Sequence, residues 1–216
     1  MKFSADALLF DMDGTLISST ASVVRCWTRW AQEYGISAEE FARVQLHGRP
    51  AVEIIAGLLP SGQVQEALAR IEQLEVEDVS GGVSVLPGTK ELLASLPDSG
   101  WAVVTSATRR LAEARLHEAG IHPPLLIAAD DITRGKPDPE PFLLAAAKLG
   151  AGPARCVVFE DAPAGLESGR AAGMPTVALT TTHDREELSA DVVVADLASV
   201  SALAAAADGL AVTAAD

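Results

Sequence analysis

Five short segments of this sequence are apolar at consecutive rather than alternate positions. They are Ala7-Leu-Leu-Phe10, Trp101-Ala-Val-Val-Thr105, Cys156-Val-Val-Phe-Glu160, Thr176-Val-Ala-Leu179 and Asp191-Val-Val-Val194. A strand with one face in water alternates; a strand covered on both faces does not, and such strands belong chiefly to parallel sheets. Helical patterns lie between these runs, at Lys90 to Leu96, Arg109 to Ala119, Pro139 to Leu149 and Ala164 to Ala172. Strand–helix alternation implies right-handed crossovers, and hence an α/β fold with a doubly wound, mainly parallel sheet.

One stretch breaks the alternation. Ser18 to Val79 carries only helical patterns, interrupted at Gly35, at His47 to Pro50 and at Pro60 to Gly62. Trp27, Trp30 and Ala31 stand at i, i+3 and i+4, one face of a helix, and read as the core of a small unit. This block falls between the first and second apolar runs, so it reads as an insertion. The expected division is residues 1–17 with 82–216 as the core domain and 18–81 as a helical cap. Gly81-Gly82 and Leu86-Pro87-Gly88 mark the return. The Ala-rich end, Ala204 to Asp216, is expected to form a last helix and a frayed tail.

Charge limits the partners. The 216 residues hold 16 Lys and Arg against 30 Asp and Glu, a formal net charge of -14. Nucleic acid and anionic membrane surfaces are therefore not expected as partners, whereas a small phosphorylated metabolite is compatible if a metal ion and local cations reverse the field in a cleft. Cys26 and Cys156 form neither a disulfide framework nor a zinc pattern and read as reduced thiols. The run Ala7 to Phe10 is too short for a signal peptide or a membrane span, so a cytoplasmic location is expected. A monomer or small homo-oligomer is expected, with nothing in the motifs to fix which.

Ligands of open α/β sheets gather outside the carboxyl ends of the strands, and there the sequence places its chemistry. The first run ends Asp11-Met-Asp13-Gly14-Thr15. Two carboxylates at i and i+2 repel unless a cation lies near them, although Asp-Gly alone reads equally well as a solvated turn. The second run ends Thr105-Ser106-Ala107-Thr108, offering hydroxyls and backbone N–H groups to phosphate oxygens at a helix start. The third ends Glu160-Asp161. Lys136, one of four lysines, sits between Gly135 and Pro137. Carboxylates from two strand ends suit Mg²⁺, a hydroxyl and a lysine suit a phosphoryl group, and one Asp remains as a nucleophile.

Asp11-Met-Asp-Gly-Thr15, Ser106, Lys136 and Glu160-Asp161 resemble, in order and spacing, the four motifs of the haloacid dehalogenase-like hydrolases. The helical block resembles that family's small cap. The stretches Trp101 to Ser106, Gly135-Lys-Pro-Asp-Pro-Glu-Pro-Phe142 and Glu160-Asp-Ala-Pro-Ala-Gly165 are most similar to sugar and glycerol-phosphate phosphatases. His47-Gly48-Arg49 is similar to a cap loop of those enzymes. The resemblance implies that Asp11 attacks phosphorus and binds Mg²⁺. Asp13 would protonate the leaving alkoxide and then activate water, its carbonyl reaching the metal. Ser106, or Thr105 one residue earlier, would hold the phosphoryl oxygens with Lys136 and the backbone at Ala107. Asp161 would ligate the metal, with Glu160 doing so directly or through water. His47 and Arg49 would meet the substrate's alcohol from the cap.

The expected activity is thus Mg²⁺-dependent hydrolysis of a small sugar or polyol phosphate through an aspartyl-phosphate. Rival readings are a sugar phosphomutase and a non-catalytic phosphate-binding protein. The β-phosphoglucomutases have a cap His twelve residues after the nucleophile, where this chain has Val23. Dehalogenases lack the second Asp, which Asp13 supplies here. Many relatives carry an Asp where this chain has Ser18-Ser19. His117, His122 and His183 are expected at the surface.

Overall fold

The structure is a computed structural model that describes residues 1–44, 46, 50–205 and 209–215. The chain opens with β1 (Lys2–Ala5), β2 (Ala7–Phe10) and a short β3 (Ile17–Ser18). Then come α1 (Thr20–Glu33), α2 (Ala38–Phe41), α3 (Ala51–Leu58) and α4 (Val64–Glu77). After β4 (Ser84–Val85), strands and helices alternate: α5 (Thr89–Ala94), β5 (Trp101–Val104), α6 (Arg109–Ala119), β6 (Leu126–Ile127), α7 (Glu140–Leu149), β7 (Cys156–Glu160), α8 (Pro163–Ala171), β8 (Thr176–Leu179) and β9 (Val192–Val194). The last elements are β10 (Val200–Ala205) and β11 (Gly209–Ala214).

Among the described residues, the main sheet has six strands in the order β6-β5-β2-β7-β8-β9, all parallel. Successive side chains of each strand enter opposite faces. Leu8, Phe10, Val103, Val157 and Phe159 pack on one side with Leu92 of α5 and Leu116 of α6. Ala7, Leu9, Ala102, Val104 and Val158 pack on the other with Phe142 and Ala145 of α7. Both faces are thus buried, which is why the strands read as continuous apolar runs. The chain proceeds outward from β2 through β5 to β6, then crosses back to β7, β8 and β9. That reversal opens a crevice at the carboxyl ends of β2, β5 and β7.

The helices from Thr20 to Glu77 have an apolar cluster of their own: Cys26, Trp27, Trp30 and Ala31 of α1, Ile54 and Ile55 of α3, and Ala67, Ile71 and Leu74 of α4. Trp30 is fully buried, and its indole N–H donates to the Ala67 carbonyl at 2.9 Å. The chain leaves along β3 and returns along β4, which pair antiparallel.

The end of the chain departs from the helix expected over Ala204 to Asp216; residues 206–208 and 216 lie outside the described residues. β11 pairs antiparallel with β10 on one side and with β1 on the other, a strand the sequence pattern did not reveal. The reason is the alternation Leu210, Val212, Ala214, all buried in the main core, while Gly209 and Ala211 face outward. Alanine's helical preference, a few tenths of a kcal/mol per residue, yields to burial and pairing with a strand more than 200 residues away.

Candidate active site

Asp11 follows β2 directly. Its N–H donates to the Phe159 carbonyl at 2.9 Å, so the backbone ladder to β7 continues to this residue. The next residues fold back tightly: Gly14 N–H donates to Ile17 O and Leu16 N–H to Met12 O. Gly14 has a φ of 93°, and a Cβ there would overlap the Asp161 carboxylate. Glycine is required twice over, for the turn and for the close approach.

Lys136 places its Nζ 2.6 Å from Asp11 Oδ1, 2.7 Å from Glu160 Oε1 and 2.9 Å from the Val104 carbonyl. Three ammonium protons thus meet three acceptors, from β2, β5 and β7. Burial works against the ammonium form, yet Asp11 and Glu160 hold the pKa of Lys136 above its usual value. The other Glu160 oxygen accepts the N–H groups of Asp161 and Ala162, each at 3.0 Å. Asp161 accepts hydroxyls from Thr15, at 3.2 Å, and from Thr182.

Asp11, Glu160 and Asp161 are all buried, each with an oxygen within 4.8 Å of the others. Burial raises the Asp11 carboxyl well above the ordinary range, Lys136 opposes the rise, and Glu160 and Asp161 add to it. Burial followed by Glu160 lifts Asp161 to about 7. Crowded carboxylates with only one ammonium among them resist ionisation until more positive charge arrives. An all-oxygen donor set of this kind fits a hard divalent cation.

Asp13 stands on the same wall of the crevice. Its Oδ1 accepts the Ser19 hydroxyl at 2.6 Å, and its Oδ2 accepts Arg115 Nη1 at 2.8 Å. Arg115 also donates Nη2 to Glu75 Oε1 at 3.2 Å. Burial raises the pKa of Glu75, against the pull of Arg115.

A cleft of about 490 Å³ joins these groups to the helical insertion. Asp11, Asp13, Lys136, Glu160 and Asp161 line it from the core, together with Thr105, Ser106 and Ala107. Thr105 is buried and its hydroxyl accepts the Ala107 N–H at 3.1 Å, whereas Ser106 is exposed to the cleft. Val23, Trp27, Ile54, Leu68, Glu72 and Glu75 line it from the insertion. His47 and Arg49 lie outside the described residues.

The motif residues of the strand ends therefore share one crevice. Arg115, Thr182 and Glu75, which the sequence reading did not single out, complete it with Ser19 and Thr15, which it named but gave no role: Ser19 and Arg115 bind Asp13, Thr15 and Thr182 bind Asp161, and Glu75 lies beside Arg115. Arg115 left a trace in the sequence. The buried face of α6 is Leu111, Ala112, Arg115, Leu116 and Ala119, an apolar stripe with one charge in it. His117 and His122 are exposed as expected. His183 is not a plain surface residue: it is half-buried, with Nδ1 2.9 Å from the Thr182 hydroxyl, because β8 ends beside Asp161 and carries this segment to the crevice.

Residues 5–173 match the family model of the haloacid dehalogenase-like hydrolases. The chain is 37% identical over 187 residues to hexitol phosphatase A of Escherichia coli strain K12, covering 84% of this chain and 86% of that protein. It is 40% identical over 201 residues to validoxylamine A 7'-phosphate phosphatase of Streptomyces hygroscopicus subsp. limoneus, covering 89% and 94%. The crystal structure of a hydrolase from Pseudomonas syringae superimposes with a TM-score of 0.79 at 26% identity, over 89% of this chain and 94% of the other.

Proposed function

The chain belongs to the haloacid dehalogenase-like hydrolases and is a phosphoric monoester hydrolase; we propose that it cleaves small sugar or polyol phosphates through an aspartyl-phosphate on Asp11. One observation carries this reading: Asp11, Lys136, Glu160 and Asp161 converge at the carboxyl ends of β2 and β7, on the floor of a cleft roofed by the helical insertion.

In this mechanism a carboxylate oxygen of Asp11 attacks phosphorus and the bond from phosphorus to the alcohol oxygen breaks. Asp13 gives that oxygen a proton. It then takes one from water as the water attacks phosphorus, which frees Asp11 and releases inorganic phosphate. Lys136 and Ser106 hold the transferring oxygens, aided by backbone N–H groups at Ala107. The exposure of Ser106 and the local engagement of Thr105 favour Ser106 for this task. Asp11, Asp161 and the Asp13 carbonyl would hold Mg²⁺, with Glu160 joining directly or through water. When bound, the ion neutralises charge developing on the phosphoryl oxygens. Residues 18–81 act as the cap, and Arg49 and His47 meet the alcohol from it.

The names of the two phosphatases support a polyhydroxylated leaving group, and the acidic Glu72, which lines the cleft from the insertion, can accept hydrogen bonds from its hydroxyls. A phosphomutase reading is disfavoured because Val23, which lines the cleft, offers no group to assist a second sugar hydroxyl. The reading takes the enzyme as cytoplasmic, a monomer or small homo-oligomer with neither nucleic acid nor a membrane as partner. No helix among the described residues is long and apolar enough to cross a membrane.

The test is phosphate release from a panel of hexitol, hexose and glycerol phosphates, with the organic product identified. Stoichiometric inorganic phosphate and free alcohol are expected. Isomerised sugar phosphate without phosphate release would establish the mutase, and binding without turnover the non-catalytic protein.

A further inference from the structure

Arg115 has no place in the mechanism so far, yet it is among the most enclosed charges in the molecule. Its side chain is 5% exposed and joins three parts of the chain. It springs from α6 of the core. Nη1 reaches Asp13 in the loop after β2, and Nη2 reaches Glu75 in α4 of the insertion, which packs on α6. The other oxygen of Asp13 is held by Ser19, the residue immediately before α1. One Asp13 oxygen is thus tied to the start of the insertion, and the other is tied through Arg115 to α4 of the insertion.

A guanidinium is a rigid planar fork, so fixing one of its nitrogens restricts the direction of the others. A buried cation deprived of one of two anionic partners is also strongly unsettled. The seating of Glu75 on α6 therefore bears on where Arg115 points, and Arg115 on where the Asp13 carboxyl points. We propose that Arg115 is a positioning residue that links the docking of the helical insertion, sensed through Glu75, to the orientation of the Asp13 carboxyl. Proton transfer to the leaving alcohol is then fully effective only when Glu75 is seated. The proposal rests on the reading of Asp13 as the acid–base group, and the test separates the two.

The measurement is kcat/KM on two kinds of substrate: sorbitol 6-phosphate and glycerol 1-phosphate, whose alkoxides need a proton, and 4-nitrophenyl phosphate, whose phenolate departs without one. Arg115→Met should lower kcat/KM for the alkyl phosphates by ~10²-fold, the lower end for general acid help, and that for the aryl phosphate by less than about 5-fold. Glu75→Gln should show the same selectivity at smaller size, and the double variant should be no worse than Arg115→Met. Arg115→Lys, which keeps charge but not the fork, should fall between. If Arg115→Met fails to fold, Arg115→Lys and Glu75→Gln carry the test. Equal losses on both substrates, or a change in KM alone, would overturn the proposal. So would multiplied effects in the double variant, because Glu75 would then be contacting substrate independently. Asp13→Ala is run beside them. If it lacks the leaving-group selectivity, the acid–base reading fails; if it has it and the Arg115 variants do not, only the present inference fails.

Discussion

Lys136 shows how little freedom a side chain has once three strand ends converge on it. Its ammonium already meets Asp11, Glu160 and a carbonyl, and its Nζ lies over the Phe142 ring, 5.1 Å from the centroid. Substrate phosphate must therefore enter beside a preset cation. Asp11→Asn keeps the shape of the proposed nucleophile and removes its charge, so turnover should fall by several orders of magnitude with the circular dichroism spectrum unchanged. Mass spectrometry of a trapped phosphoryl mimic should find it on Asp11; an adduct on Ser106 would reassign the nucleophile. Gly165 gives a second, independent check. A Cβ there would overlap Glu160 Oε1, and that carboxylate cannot swing aside cheaply because Lys136 and two N–H groups hold it. Gly165→Ala should weaken Mg²⁺ binding in calorimetry; an unchanged affinity would place Glu160 outside the metal site. The strand-end residues were legible because their chemistry is written in residue type and position. The Arg115–Glu75 pair was not, since two residues 40 apart on different helices meet only through packing.

At the scale of elements, the last strand is the sharpest departure from the sequence pattern. An Ala-rich tail on a frayed helix would tolerate truncation of its large side chains. A strand between β1 and β10 would not, because Leu210 is 3% exposed beneath it. Leu210→Ala should cost ~2–5 kcal/mol in denaturant unfolding, while Ala211→Ser on the outer face should stay within about 0.5 kcal/mol. Two near-neutral results would return the segment to a frayed tail. Within the insertion, Arg70 of α4 donates two hydrogen bonds to Glu33 of α1, at 2.6 and 2.7 Å. They hold the Glu33 carboxyl at about 2, against an ordinary 4.5. The stabilisation from this lowered pKa is complete above the ordinary value and is lost as pH falls from about 4.5 to about 2. Glu33→Gln should lower the melting temperature at neutral pH and change it little near pH 2; an equal shift at both would mean that packing, not charge, joins the helices. The alternation of helices with apolar runs exposed the doubly wound sheet. Short edge elements such as β1, β3 and β6 carry too few residues for any period to show.

For the whole molecule, the governing quantity is charge. A body with net charge -14 repels a phosphate ester and attracts a divalent cation, and the same field acts on both with opposite sign. The Debye length falls from roughly 30 Å at 0.01 M salt to about 10 Å at 0.1 M, so distant surface carboxylates drop out of the balance first. Two consequences can be separated. Chelation with EDTA should abolish turnover and added Mg²⁺ should restore it, because Asp11, Glu160 and Asp161 otherwise crowd one another with a single lysine between them. Raising KCl from 0.01 to about 0.1 M should then weaken the apparent affinity for Mg²⁺ while leaving kcat/KM for a polyol phosphate, measured at saturating Mg²⁺, unchanged or higher. Opposite trends mark a general field that the local site must overcome for its substrate and exploits for its metal. If both quantities fell together, the substrate would be drawn by nearby cations of the cleft rather than repelled by the body of the protein. Full activity after exhaustive chelation would remove the metal from the reaction altogether.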